Sequence, residues 1–383
     1  MTKQLVISNL RAARKAKGIS QSDLAELVGV KRQAIYDMES SRYVPNTSVS
    51  LLLAKVLNCR VEDLFSIASS PGERAVTLVD GAAGCSHRVS LVKVRNQLIA
   101  YPLDDKWMSG EGFQGADGLL QDAPDDISTQ REACGSAVCC VRLLHGEDAL
   151  DKKALLLGCD PAFTILSSHV SRSAGEERLQ CRFSQSLGAL KALSSGYAHL
   201  AGTHMHNRSD TESNLELARA VLGKAKAKVI AFSSIEEGLM VRPGNPCGIR
   251  TVGDLAGNVG FVNREPGAAL RVLLDDHLTR LGIKPETIDG YNRLVHSHNE
   301  GAKMVSFGLV EAALGLRAIA ITHGLGFVPL EMVRCDLVIP LDLIEHPAVK
   351  IIVNLLQTRC LREELAALPG YDSSCMGTVI GEV

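Results

Sequence analysis

The segment FVNREPGAALRVLLDD, residues 261–276, sets an arginine, a proline–glycine loop and the start of an amphipathic helix in direct succession. A short apolar strand feeding a small-residue loop at a helix N-terminus presents free backbone N–H groups and the positive end of the helix dipole, a combination that holds anions. Arg264, Gly267, Ala268, Ala269 and Arg271 are the candidates for such a cradle. The loops in GCDPAF and THMHN also come after apolar runs.

These loops need strands to end on and helices to lead into. From about residue 154 the chain repeats strand, loop and helix, which predicts an α/β fold with largely parallel sheets and ligands at the C-terminal strand ends. LGALKALSSG reads as a helix, and GIRTVGDLAG as a helical turn capped near Thr251. KVIAFSSIEEGLMVRPGNP reads as two apolar strands, and FVPLEM and CDLVIP as two more. Asp160 repels an anion unless it caps its own helix, and Ala268-Ala269 bring no hydroxyl donors, so both turn the expectation toward an organic or mixed-charge ligand. The histidines of HMH, 204–206, point to opposite faces if they lie on a strand. No metal and no cofactor are expected; His204 is expected to face the cleft as a hydrogen-bonding group.

The N-terminal stretch carries a different chemistry. Leu10 to Ala16 form a first helix ended by Gly18, Ser20 caps a second whose Leu24, Ala25 and Leu27 share one face, Gly29 closes it, and a third starts at Val30. Two short helices around a glycine turn are a helix-turn-helix unit. Supporting helices are predicted in NTSVSLLLAKVLNC, capped by Asn46 or Thr47, and in VEDLF. Gln21, the DLAELVGV run, Ile35, Glu39 and PNTSVSLLLAKVLN resemble the Cro/cI-type (XRE) helix-turn-helix family over about 55 residues. The resemblance implies that the third helix enters the major groove. Lys31, Arg32, Gln33 and Tyr36 then face the bases, Gln21 anchors a phosphate and braces the recognition helix, and Arg42 reaches a phosphate. SSRYVP departs from the family, which often has a glycine at that corner.

GALKALSSGYAHLAGTH, GLMVRPGNPCGIRTVGDLAG, VNREPGAALR and GLVEAALGLRAIA resemble the type II periplasmic-binding-protein fold. More narrowly, they look like the version fused to helix-turn-helix regulators and to molybdenum-cofactor biosynthesis proteins. That resemblance implies two lobes with a ligand in the cleft between them, and oxyanions of the molybdate and tungstate type as one ligand class. Its matching loops imply contacts from Cys159, Asp160, Pro161, Ala162, Thr203, His204 and Asn207 in the first lobe and from Arg264, Gly267, Ala268, Ala269, Arg271, Gly315 and Arg317 in the second. His298, just ahead of a helix, is a further expected cleft contact.

Composition agrees with a reader joined to a sensor. Residues 1–65 hold ten Lys/Arg against six Asp/Glu, and the remainder 31 against 37, so a basic head precedes an acidic body. No leader peptide or long uncharged apolar run is evident, which gives a cytoplasmic expectation and no membrane partner. Eleven cysteines without a CxxC pair are expected as free thiols, including Cys134, Cys139 and Cys140. SIASSPGER reads as a linker, RVSLVKVRNQLIAYPL as a hairpin turning at Arg95-Asn96-Gln97, ADGLLQDAPDDIS as loop and SAVCCVRLL as a strand.

The expectation is a multidomain chain. It has an all-α helix-turn-helix head at 1–67, a linker and small β-containing connector at 68–150, and a two-lobed α/β body at 151–383. The function expected is that of a non-enzymatic one-component regulator. It is expected to act as a homodimer, reading operator DNA with its head and sensing a small molecule or oxyanion with its body. The alternative is a cofactor-handling enzyme or a binding protein for a pterin or small organic acid, using Cys159 or Asp160; no nucleophile–base pair is evident in the sequence to support it.

Overall fold

The computed structural model describes residues 6–40, 42–67, 73–79, 86–103, 114–121, 137–173, 175–207 and 212–383. It divides into two compact units, 1–72 and 73–383.

In the first unit a two-stranded antiparallel ribbon, β1 (Val6–Ser8) with β2 (Phe65–Ile67), joins the two ends of a helical cluster. The helices are α1 (Leu10–Ala16), α2 (Gln21–Val28), α3 (Arg32–Glu39), α4 (Thr47–Leu57) and α5 (Val61–Leu64). Ser20 caps α2 in a reciprocal capping box with Asp23, and Gly29 ends it in the left-handed conformation. Asn46 caps α4 by accepting from Val49 N. Two expectations are corrected. The third helix begins at Arg32 with Lys31 as its N-cap. The inward face of α2 is Leu24, Ala25 and Val28, while Leu27 is 60% exposed. Leu27 lies one position short of Val28, about 100° round the helix and off the core-facing stripe.

Glu39 ties three of these helices together. Its carboxylate accepts from Arg14 Nε of α1 at 2.5 Å and from Gln21 Nε2 of α2 at 2.8 Å. Burial works to raise the Glu39 pKa, but the hydrogen bonds from Arg14 and Gln21 hold it below the usual carboxylate range. A lowered folded pKa contributes stability above the unfolded glutamate value of about 4.3, and that contribution disappears as the pH falls through the folded value. Glu39→Ala strands a buried Arg14 and should cost the head about 3 kcal/mol. Hydrogen exchange of peptides from residues 10–57 at neutral pH should show that loss; equal protection in both proteins would contradict it.

The second unit opens with β3 (Glu73–Leu78), β4 (Arg88–Val94), β5 (Gln97–Pro102), β6 (Gly118–Leu120) and β7 (Ala137–Leu143), which close into a barrel in the order β3-β5-β4-β6-β7. The expected hairpin is β4–β5, with Arg95 at φ 55° in its turn. Part of the expected ADGLLQDAPDDIS loop is a strand, β6; its residues 122–128, like Cys134, lie outside the described residues. Side chains fix the barrel to the α/β portion of the unit. Lys153 Nζ lies 2.6 Å from Asp117 Oδ2, Ser90 Oγ donates to Gln180 Oε1 at 2.6 Å, and Tyr101 OH donates to Tyr197 O at 2.9 Å.

The rest is a two-lobed α/β body. One lobe has the parallel strands β8 (Lys153–Gly158), β9 (Arg178–Phe183) and β10 (Leu200–His204), with α6 (Phe163–Ser173), α7 (Ser186–Ser194) and α8 (Ser213–Leu222). Two long strands, β11 (Ala227–Val241) and β15 (Gly326–Pro340), pair antiparallel along their length. The other lobe has β12 (Phe261–Arg264), β13 (Leu294–Val295) and β14 (Ala312–Leu316) in parallel, with α9 (Ala269–Leu281), α10 (His298–Ser306) and α11 (Arg317–Thr322). The sheet order is β13-β12-β14-β11-β15-β10-β8-β9. One end of β15 pairs with β10 and the opposite end of β11 pairs with β14, so these two strands run through both lobes. The sheet is thus mixed rather than largely parallel. KVIAFSSIEEGLMV is one strand, not two, and so is FVPLEM with CDLVIP. Their polar interior residues mark the passage between lobes, where β11 has register irregularities at Ala231/Ser233 and Glu237/Gly238.

Candidate functional site

In the first unit the exposed side of α3 carries Arg32, Gln33 and Tyr36, with Lys31 at its N-cap, all solvent-accessible. Gln33 Nε2 donates to Asp37 Oδ1 at 3.1 Å, and the Arg42 guanidinium lies 5.8 Å from the centre of the Tyr36 ring. Gln21 braces α3 through Glu39. Arg and Gln side chains free to turn into a major groove can read guanine and adenine edges. Arg32→Ala or Gln33→Ala should therefore relax discrimination at one base position by about 1–3 kcal/mol. Competition binding against single-base operator variants measures this; unchanged discrimination for both would displace α3 as the reading helix.

In the second unit a cleft of about 280 Å³, counted out to its open mouth, lies between the lobes. Cys159, Phe183, Gln185, Ser186 and His204 line it from one lobe, and Arg264, Ala268, Ala269, Leu270 and His298 from the other. Local sequence explains the arrangement. Gln185 and Ala268 are the N-caps of α7 and α9, and neither helix has a side-chain cap, so both present first-turn N–H groups to the cleft. Gly267 turns the chain into α9 at φ 89°, a conformation that disfavours a side chain. Across the mouth, Gln185 Nε2 donates to Glu265 Oε2 at 2.9 Å, linking the lobes.

Arg264 is the central cation. It is 3% exposed, donates from Nη1 to His298 Nδ1 at 3.1 Å and from Nη2 to His296 O at 3.2 Å, and its Nε has no partner among the described residues. Burial, then the charges of Arg264 and His204, push the His298 pKa well down, so His298 is neutral, accepts at Nδ1 and carries its proton on Nε2. His204 behaves oppositely. Burial would lower its pKa, but the adjacent Cys159 sulfur, Glu237 and Asp160 raise it to about 9. Two cations, a neutral N–H donor and two uncapped helix N-termini thus meet on a cleft whose lining holds no carboxylate. Such a site can hold a small anion.

Several candidates stand elsewhere. Asp160 faces the core, where Oδ1 accepts from Ala162 N at 2.9 Å and from Tyr371 OH at 2.7 Å and Oδ2 accepts from Ser233 Oγ at 3.2 Å. It serves the start of α6 and brings no charge to the cleft lining. Pro161 and Ala162 belong to that turn. Thr203 is buried in β10 against Asp336 O, and Asn207 accepts from Ser213 N. Arg271 stacks 3.9 Å from the Tyr291 ring centre, donates to Arg264 O and pairs with Asp275, a structural role. Gly315 packs against Met240, and Arg317 pairs with Glu236. Gly267 flanks the lining. His296 pairs with Glu265 at the exposed rim.

Of the lining, Phe183, Gln185, Ser186 and Leu270 escaped sequence reasoning; Gln185 and Ser186 directly precede LGALKALSSG, the stretch that reads as a helix. Glu237, fully buried on β11, escaped it as well. His204 Nε2 is 3.4 Å from its Oε1 and His206 Nε2 is 3.0 Å from its Oε2, within ion-pair range but without hydrogen-bond alignment. The two histidines of HMH converge on one carboxylate, against the expectation of opposite faces, because residues two positions apart on an extended chain lie on the same side. Cys159 Sγ is 3.2 Å from His204 Nδ1, a nucleophile–base contact between residues 45 apart in sequence. Among the described residues no group of three or more His, Cys, Asp and Glu forms a metal site, and no helix is long and apolar enough to cross a membrane.

A helix-turn-helix family matches residues 10–64, and the PBP superfamily domain matches residues 167–357. The uncharacterized protein YvgK of Bacillus subtilis is 28% identical over 229 residues, covering 60% of this chain and 73% of its own. An uncharacterized HTH-type transcriptional regulator of Archaeoglobus fulgidus is 38% identical over 58 residues, 15% of this chain and 83% of its own. Among solved structures, the sulfate-binding protein SubI from Mycobacterium tuberculosis aligns with a TM-score of 0.44 at 14% identity, over 57% of this chain and 86% of its own. The chain belongs to the helix-turn-helix family through its first unit and carries a PBP-like domain in the two-lobed body of its second.

Proposed function

We propose that the protein is a one-component transcriptional regulator that binds operator DNA through α3 and takes a small anion in the interlobe cleft. The observation that carries the ligand class is Arg264, a buried guanidinium with an unpaired Nε beside the uncapped N-termini of helices from both lobes. A buried charge without a full set of partners is costly, and an anion supplies what is missing. The ligand touches both lobes, so it binds the closed arrangement more tightly than an open one, and that difference in affinity is what a switch requires. The buried guanidinium and the N–H donors favour a tetrahedral oxyanion such as molybdate, tungstate, sulfate or phosphate, or a short carboxylate. Backbone N–H groups here take the place of the hydroxyl donors that Ala268-Ala269 lack. Two heads on one operator, as helix-turn-helix geometry favours, make a homodimer the working form.

Thermal unfolding of the full chain with each anion is the test. At 100 times Kd a ligand stabilises the folded state by about 2.7 kcal/mol. A shift with one of these anions, accompanied by a change in affinity for DNA selected from a random pool, is the expected result. Stabilisation only by uncharged compounds would overturn the anion assignment, and ligand binding without any effect on DNA affinity would overturn the regulator.

A further inference from the structure

The Cys159–His204–Glu237 chain is not needed to hold an anion. Cys159 is half-buried in the cleft lining, with its Sγ 3.2 Å from Nδ1 and 3.7 Å from Nε2 of His204. Behind the ring, Glu237 Oε1 lies 3.4 Å from Nε2 and carries no hydrogen bond among the described residues. Arg264, with its unpaired Nε, lines the same space.

Other cysteines of the chain have the opposite surroundings. Burial pushes the Cys181 thiol up to about 12 and raises Cys335 well above the usual thiol value, and burial together with the neighbouring Glu311 raises exposed Cys247. Cys159 thus combines access through a polar cleft, a cationic partner, and a carboxylate that keeps that partner charged.

We propose that Cys159 is an oxidation site, a cleft cysteine beside His204 that hydrogen peroxide converts to the sulfenic acid, with His204 delivering the proton to the leaving oxygen. The thiolate attacks one peroxide oxygen, an S–O bond forms and the O–O bond breaks. The departing hydroxide takes the His204 proton and leaves as water. Sulfur loses two electrons, peroxide gains them, and His204 ends neutral. Oxidation then takes the His204 proton out of the cleft and puts a sulfenic oxygen into it, so the step rests on the ligand-site reading only in its consequence, a changed anion affinity.

The full chain is treated with sub-stoichiometric to equimolar hydrogen peroxide in the presence of dimedone, and adducts are quantified peptide by peptide. Cys159 should be trapped at least 10-fold faster than exposed Cys247 and Cys360 of the same molecules. His204→Gln should slow Cys159 at least 10-fold while the two references keep their rates. Cys159 reacting no faster than the references in the unsubstituted protein overturns the proposal without reliance on any variant. Equal Cys159 rates with and without His204 in a folded chain remove the proton-donor role. Anion stabilisation is measured separately on the unoxidised protein, so an inert Cys159 in a chain that still takes molybdate sinks this proposal alone.

Discussion

Arg264→Ala should weaken binding of the anionic ligand by about 30-fold or more, equivalent to about 2 kcal/mol at the low end of what truncating a buried charge partner costs. The expectation rests on position. Arg264 ends β12, lines the cleft, is almost wholly buried, and is held by His298 Nδ1 and the His296 carbonyl, with its Nε unpaired among the described residues. Its pKa is lowered, chiefly by burial, against which Cys159, Glu237 and Glu265 act in the raising direction. It remains a cation at any working pH because guanidinium starts above 12. Arg264→Lys keeps the charge and loses the fork to His298 and His296, so it should fall between wild type and alanine. Titration calorimetry with the anion that gives the largest thermal shift measures all three proteins. DNA affinity of the ligand-free proteins separates a cleft effect from misfolding. If alanine binds the anion as wild type does, the cleft is not the anion site.

Much of this was legible in the sequence, for identifiable reasons. VNREPGAALR carries its own local logic: strand, positive-φ glycine, uncapped helix start. No tertiary information is needed to place Arg264 and Ala268–Ala269 around one point. Ser20, Gly29 and Asn46 likewise act on their own helix, so the head could be read helix by helix to within two residues.

The misreadings are non-local. Whether Arg271 faces ligand or packs on Tyr291 depends on a residue 20 positions away. Asp160 is turned inward by Tyr371, 211 positions away. Ser233–Ser234 and Glu236–Glu237 look like a break between two strands, since polar pairs normally end an apolar run. They are tolerated inside one long strand because that part of β11 passes between lobes, where Glu237 meets His204 and His206 instead of solvent. The same feature hid the nucleophile–base pair, because Cys159 and His204 end neighbouring strands β8 and β10 and meet only when the sheet forms.

The passage between lobes also carries the other large expected effect. Gly238 comes directly after Glu237 at a register irregularity of β11 and lies opposite Pro329 of β15 and Gly315 of β14. A Cβ there would stand 2.2 Å from the Val328 carbonyl oxygen and 2.7 Å from the Phe327 ring. Because the first of these is backbone, a rotamer change cannot relieve it, and β15 itself must move. Gly238→Ala should therefore cost the second unit about 3 kcal/mol, the upper part of the range for overpacking. Gly146→Ala, where an added methyl meets nothing within 4 Å, should be near neutral and serves as the reference. The displacement falls one residue from Glu237, so it should also loosen the carboxylate from both histidines and lower anion affinity in whatever fraction stays folded. The head is a separate compact unit, so hydrogen exchange within residues 10–57 should be unchanged while residues 227–241 and 326–340 lose protection. Loss of protection in the head as well would mean that the two units unfold together; full protection in both strands would mean that β15 has room the geometry does not reveal.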